Sequence, residues 1–305
     1  MAIASLFRVS ALSVIAICGL VAMDQVAPGV FVAEAVAQDK PKKDTRETRR
    51  TPALRNKVYE RLAEAQTLAE AKDYAGAAVI LNDMISEDGK RALNSYELAN
   101  VYNLHAFLSY AKEDYPQSLR YYEQVIAQPD IPLAMEINTR FTIAQLYFVQ
   151  EKWQQGIDAL LMWFEMNEKP NAGAYVLLAQ GYYQVKRYDL ALDNVETAIA
   201  MHEGEGKLPK EQWYNLARFL YFDKEDFDSA LDVLNTLIIY YPKKQYWVQA
   251  SHLYGEKKDE PRQLALMEAA YEQGFLDRSS ELVTMAYLYL NAEVPYYAGA
   301  VIEKG

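Results

Sequence analysis

A charged turn that ends in an aromatic residue recurs along the chain, and no other feature restricts the fold as much. The turns read Lys72-Asp73-Tyr74, Glu113-Asp114-Tyr115, Glu151-Lys152-Trp153, Lys186-Arg187-Tyr188 and Glu225-Asp226-Phe227. Their aromatics are 41, 38, 35 and 39 residues apart, and three residues beyond each stands a small side chain: Ala77, Ser118, Gly156, Ala191 and Ala230. A further marker, Pro295-Tyr296-Tyr297, lies 70 residues past Phe227, with a degenerate unit between whose turn is Lys257-Lys258-Asp259-Glu260-Pro261. Self-similarity near ~34 residues with two helices per unit is the signature of a helical repeat array, in which no unit can bury its apolar face alone. The chain also holds only 13 Gly and 11 Pro in 305 residues, too few for a sandwich or barrel that needs a turn every ~8–12 residues. The expectation is an all-α body over residues 58–305, about seven repeats with the last incomplete.

Two units give the pattern a family likeness. Tyr175, Leu178, Ala179, Tyr182, Tyr188, Ala191 and Ala198 stand where a tetratricopeptide repeat has its aromatic, leucine, small, aromatic, turn-aromatic and packing-alanine positions. Trp213, Leu216, Ala217, Leu220, Phe227, Ala230 and Pro242 follow in the next unit, whose turn is one residue longer, and Trp247 and Ala250 open a sixth. The chain therefore resembles the tetratricopeptide-repeat family. The resemblance implies a right-handed superhelical solenoid of helix–turn–helix repeats, used for protein–protein interaction. In the last unit Met285, Ala286, Tyr289 and Ala300 are expected to lack a covering neighbour, so that the natural chain continues past Gly305 or a partner or second copy covers that end.

Ahead of the repeats the chain changes character twice. Arg8 precedes an apolar run from Val9 to Met23, and Ala35-Val36-Ala37 has the form of a leader-peptidase site. Residues 1–37 read as a secretory signal peptide cleaved before Gln38, with an uncleaved inner-membrane anchor as the alternative and lipidation at Cys18 as a lesser one. Cys18 is the single cysteine, so cleavage leaves no thiol for disulfides or redox chemistry. Residues 38–57 follow as a basic disordered arm carrying Lys40, Lys42, Lys43, Arg46, Arg49, Arg50, Arg55 and Lys57, net +5, against a body of net -15 within a total of -11. Such an arm is either a solvated linker or a weak contact for an anionic membrane surface or an acidic partner. An acidic domain behind a secretion signal excludes nucleic acid as the expected partner.

Catalytic signatures are missing. His105, His202 and His252 fall in three different repeats without metal-ligand spacing, and no phosphate-cradling glycine loop, nucleophile elbow or calcium loop occurs. The reading is a non-enzyme with no cofactor and no metal. Binding is the expected use, along the first helix of each repeat. Helical phase places Asn138, Phe141, Gln145 and Phe148 on that inner face in the third unit, Gln180 and Tyr183 in the fourth, and Tyr214, Arg218 and Tyr221 in the fifth. Amides bond peptide backbone, and tyrosines give rigid area with a polar tip. Tyr175, Tyr182, Trp153, Trp213 and Trp247 are assigned to the core.

A narrower resemblance concerns the partner. The stretch Arg50-Thr51-Pro52-Ala53-Leu54-Arg55 and the segments Met267–Phe275, Ala286–Leu290 and Val294-Pro295-Tyr296 are similar to secreted tetratricopeptide-repeat proteins associated with TonB–ExbB–ExbD energy-transduction systems of gammaproteobacteria. This implies a periplasmic scaffold accessory to iron uptake, with TonB-system components as partners. The alternative is a general envelope-assembly scaffold or co-chaperone for secreted or outer-membrane polypeptides.

Overall fold

The computed structural model describes residues 52–86, 92–129 and 131–304. The leader and Lys40, Lys42, Lys43, Arg46, Arg49 and Arg50 lie outside the described residues. Among the described residues there are fourteen helices, in seven consecutive pairs: α1 (Asn56–Glu70) and α2 (Tyr74–Ser86), α3 (Ser95–Ala111) and α4 (Tyr115–Ile126), α5 (Leu133–Val149) and α6 (Trp153–Met166), α7 (Ala172–Gln184) and α8 (Tyr188–Gly204), α9 (Glu211–Asp223) and α10 (Phe227–Tyr240), α11 (Lys244–Glu256) and α12 (Glu260–Glu272), α13 (Ser279–Asn291) and α14 (Pro295–Lys304). No helix among them is long and apolar enough to cross a membrane. Two compact units divide the chain: residues up to Pro170 with Gln180–Lys186, and Asn171–Ala179 with Arg187–Gly305. Within each unit the helices pack mainly on their neighbours in sequence, as expected of stacked hairpins.

One backbone device makes all seven turns. Lys72, Glu113, Glu151, Lys186, Glu225, Lys258 and Glu293 all adopt left-handed φ between 56° and 63°, each two residues before the helix that follows. At most of these turns the next N–H reaches back to a carbonyl in the last turn of the first helix: Asp73 to Leu68 at 2.8 Å, Asp114 to Ser109 at 2.9 Å, Asp226 to Tyr221 at 3.0 Å and Asp259 to Tyr254 at 2.9 Å. This is the Schellman closure, which ordinarily takes glycine. Four of the second helices then start on an aspartate side chain, with Asp73, Asp114, Asp226 and Asp259 accepting from the N–H three residues on, as good N-caps do. A charged L-residue in the left-handed region is strained by about 1–2 kcal/mol. Glu113→Gly and Glu225→Gly are therefore expected to raise stability by about 0.5–1 kcal/mol each after the flexibility of glycine in the unfolded chain is counted. Urea midpoints measure this, with Glu225→Ala as a control that leaves the strain in place.

Packing repeats with the same register. Seven residues after the first residue of each of the first six second helices stand Leu81, Tyr122, Leu160, Val195, Leu234 and Met267, all buried. The small residues earlier in these helices, Ala77, Ser118, Ala191 and Ala230, are fully buried, which lets the two helices of a pair approach closely. In the first unit Ser118 also donates to the Ala106 carbonyl at 2.8 Å, so its hydroxyl is satisfied in the seam. The last pair departs from the sequence expectation. Met285, Ala286 and Tyr289 are buried in a cluster with Met267, Ala270, Ala298 and Val301, because this stripe of α13 faces α12 and α14. The exposed side chains of that pair lie on other faces.

The start of the repeats sits slightly earlier than residue 58. Arg55 and Lys57, read as part of the basic arm, are described: Lys57 is in the first turn of α1 and Arg55 is its N-cap. The Arg55 backbone N–H and Nε donate to Glu97 Oε1 at 3.1 and 2.9 Å, and Nη2 pairs with Glu97 Oε2 at 2.7 Å. Glu97 is fully buried and also closes a capping box with Asn94 at the start of α3. Burial alone would push the Glu97 carboxyl up, but the hydrogen bonds from Arg55 and Asn94 outweigh it and hold the pKa below the usual value.

Candidate functional site

In the second unit two first helices, α9 and α11, present a connected polar face. Tyr246 is fully buried, and its hydroxyl donates to Glu211 and accepts from the Asn215 amide at 2.8 Å. Glu211 also pairs with Lys243 at 2.7 Å. Burial would raise the Glu211 pKa, and the bonds from Lys243 and Tyr246 more than reverse this, so the carboxylate is held ionised. Beside this group lies Arg218. Its Nη2 donates to Asn215 at 3.1 Å, Nη1 donates to Gln249, and the guanidinium carbon lies 5.8 Å from the centre of the Tyr246 ring. Both hydrogen-bond acceptors are neutral amides. The Arg218 Nε is buried with no hydrogen-bond partner among the described residues. Burial lowers the pKa of Arg218, yet an arginine stays protonated in a protein, so among the described residues this face holds a cation whose direct partners are two neutral amides and a π-system.

The neighbouring tyrosines are tethered to the preceding helix. Tyr221 is half-buried and donates to Glu196 of α8, while Tyr214 donates to Glu203 at 2.7 Å. Burial, and then the accepting carboxylates, raise both phenol pKa values. Tyr214 is 4% exposed, so this residue packs inside the seam and does not line an open face, contrary to the phase count. Its ring joins the buried cluster of Ala230, Leu234, Leu237 and Tyr246, contributed by α10 and α11. Ties at one-repeat separation recur along this unit: Lys244 to Glu281 at 3.0 Å and Lys224 to Asp189 at 3.1 Å, besides Lys243 to Glu211.

In the first unit the expected inner-face residues have different settings. Asn138 is exposed, and Gln145, Gln180 and Tyr183 are half-buried. Phe141 is half-buried with its ring centre 4.8 Å from Trp163. Phe148 is the clear correction: it is 7% exposed, and its ring lies against both Gly156 and Gly181. Those two glycines leave a slot that a phenyl ring fills, which puts Phe148 in the core.

The histidines are not gathered. His105 is buried and stacks on Tyr121 at 4.7 Å; burial, with Lys112 adding to it, lowers its pKa to about 4, so the ring is neutral. His202 packs edge-on to Trp213, while the His252 side chain is half exposed, 3.9 Å from Glu256. No group of three or more potential metal ligands occurs among the described residues. The residues missed from sequence are Asn215, Tyr246 and Gln249. The signal for them was present as spacing, because Asn215–Tyr246 and Arg218–Gln249 are both 31 residues apart, close to one repeat.

Comparison with known proteins gives no matching family model and no matching curated protein. Solved structures do resemble the chain. A tetratricopeptide repeat protein from Parabacteroides merdae shares 14% identity over 81% of this chain and 91% of its own, with a TM-score of 0.49. The apo form of RapI shares 11% over 82% and 100%, with a TM-score of 0.48. YrrB, described as a tetratricopeptide-repeat protein with an unusual peptide-binding site, shares 15% over 64% and 91%, with a TM-score of 0.46. Likeness at that level adds nothing to the functional argument, and the repeat architecture rests on the chain's own seven helix pairs.

Proposed function

We propose that this chain is a non-enzymatic tetratricopeptide-type scaffold, and that its second unit holds a segment of a partner protein by an acidic group set against Arg218. The observation behind this reading is the half-buried guanidinium whose acceptors are the neutral amides of Asn215 and Gln249. An ionised partner carboxylate would supply the missing counter-charge, and charge-assisted bonds to a guanidinium are roughly twice as strong as neutral ones. The Asn215 and Gln249 amides fix the fork, and the Tyr221 ring offers a flat apolar wall.

Fluorescence anisotropy with matched peptides tests it. Peptides containing Asp or Glu should bind more tightly than their Asn or Gln counterparts. Arg218→Gln should weaken the acidic peptides about 10–100-fold, the worth of one or two charge-assisted hydrogen bonds, and Arg218→Lys should fall between. Unchanged affinity in Arg218→Gln, or no preference for the acidic peptide, would overturn the assignment.

The proposal extends to place and partner. The leader and the sequence resemblance support a periplasmic scaffold accessory to a TonB-dependent energy-transduction and iron-uptake system. A deletion strain should then grow poorly on iron-chelated medium. Normal iron-limited growth with misassembled surface proteins would favour the general envelope-assembly scaffold instead.

A further inference from the structure

The Arg218 face continues along the second unit into a surface of different chemistry. Three first helices there each carry a buried pair of residues: Leu216-Ala217 on α9, Ala250-Ser251 on α11 and Met285-Ala286 on α13. The pairs are 34 and 35 residues apart, so the residue after each, Arg218, His252 and Tyr287, stands at the same phase of its helix. The helices are also joined. Arg218 donates to Gln249, one turn before His252, and Lys244 of α11 pairs with Glu281 of α13 at 3.0 Å. On α13, Val283, Tyr287 and Leu290 lie along one stripe at i, i+4 and i+7 and are 57%, 63% and 54% exposed. Residues 282–292 carry no charge. The guanidinium and the apolar stripe are thus presented on the same side of their helices, two helix steps apart.

A single contact at Arg218 is worth about 10–100-fold in affinity, too little to hold a free acid once the freedom lost on association is counted. A partner segment needs a second anchor, and electrostatics gives the direction in which it lies. Beyond Tyr221 stands the carboxylate of Glu196, which repels an acidic segment, whereas the α13 stripe is neutral and apolar. Helices packed side by side have axes ~8–10 Å apart, so two steps cover roughly 20 Å. An extended chain spans that with about six residues at ~3.3 Å each. We propose, building on the Arg218 reading, that the partner segment is extended and carries a large apolar side chain about six residues from its carboxylate. That side chain docks on Val283, Tyr287 and Leu290.

Fluorescence anisotropy on the full chain tests this with peptides that hold one Glu and one Leu about six residues apart, in either order. Each is measured beside a twin with Ser in place of Leu. In one of the two orders the Leu peptide should bind about 10–100-fold more tightly, as burial of one leucine side chain implies. Leu290→Ser and Tyr287→Ser should each remove much of that advantage and leave the affinity of the Ser twin unchanged. Both residues are exposed, and an unchanged helical circular dichroism signal verifies the fold. Equal binding of Leu and Ser peptides in both orders would overturn the inference, and so would a Leu preference that survives both substitutions. Sedimentation of the free chain adds one more outcome: self-association abolished by Leu290→Ser would mean that a second copy covers the stripe, which also overturns it. The Arg218 reading fails separately, if the Ser twin binds Arg218→Gln as tightly as the unsubstituted chain.

Discussion

Arg55→Ala is expected to destabilise the first unit by about 3 kcal/mol, the scale for removing one partner of a buried ion pair. Glu97 is fully buried, and the Arg55 side chain supplies two of its contacts, at 2.9 and 2.7 Å. Without them the carboxylate keeps only backbone donors. The pH dependence follows in sign. The native pKa of Glu97 is lowered, so its contribution is fully present above the unfolded carboxylate value and is lost as pH falls through the folded one. The gap between wild type and Arg55→Ala should therefore narrow as the pH drops from neutral toward the acid range. Hydrogen exchange of α1 and α3 amides is the suitable readout, since helical arrays can open locally. Arg55→Ala/Glu97→Leu should recover much of the loss, because no buried charge is then left unpaired. A single-variant cost below about 0.5 kcal/mol, the range of an exposed pair, would show that the buried pair contributes little.

Phe148→Ala should cost about 3–5 kcal/mol, as expected for emptying a well-packed aromatic site, and should leave peptide affinity unchanged. The reverse perturbation is also informative. A Cβ on Gly181 would come to 2.6 Å from the Phe148 ring and 2.9 Å from Ile157, so Gly181→Ala should overpack the site by about 1–3 kcal/mol. Phe148→Leu/Gly181→Ala should be less destabilised than the sum of its parts, because the smaller side chain vacates the space that the new methyl group needs. Chemical denaturation of the four proteins completes the cycle. Strict additivity would mean that the two residues do not share the slot.

The fold was legible because its period is written twice. Turn charges and aromatics recur near ~34 residues, and the small residue three positions on recurs with them. Both have a physical cause, the left-handed closure at Glu113 or Glu225 and the close approach at Ala191 or Ala230. Individual side-chain settings were less legible. Phase alone puts Phe148 on the same stripe as Asn138, and only the slot between Gly156 and Gly181, one of them in the next repeat, turns its ring inward. Tyr214 was misplaced because phase on its own helix does not reveal the cluster it joins, with Leu234 of α10 and Tyr246 of the next repeat. Arg55 read as one of eight cations in a basic arm, because its partner is 42 residues away. The Arg218 site was half visible: the arginine was singled out, while Asn215 and Gln249 required the pairing of neighbouring repeats.

Site-specific photocrosslinking tests the central claim most directly. A photoreactive residue placed in turn at Tyr221, at Gln249 and at the exposed Ile239 of α10 reports which face of the second unit meets a bound acidic peptide. Crosslinks at positions 221 and 249, absent at 239 and lost in Arg218→Gln, are the predicted result. Crosslinks confined to position 239, or retained at 221 and 249 without the arginine charge, would contradict the account.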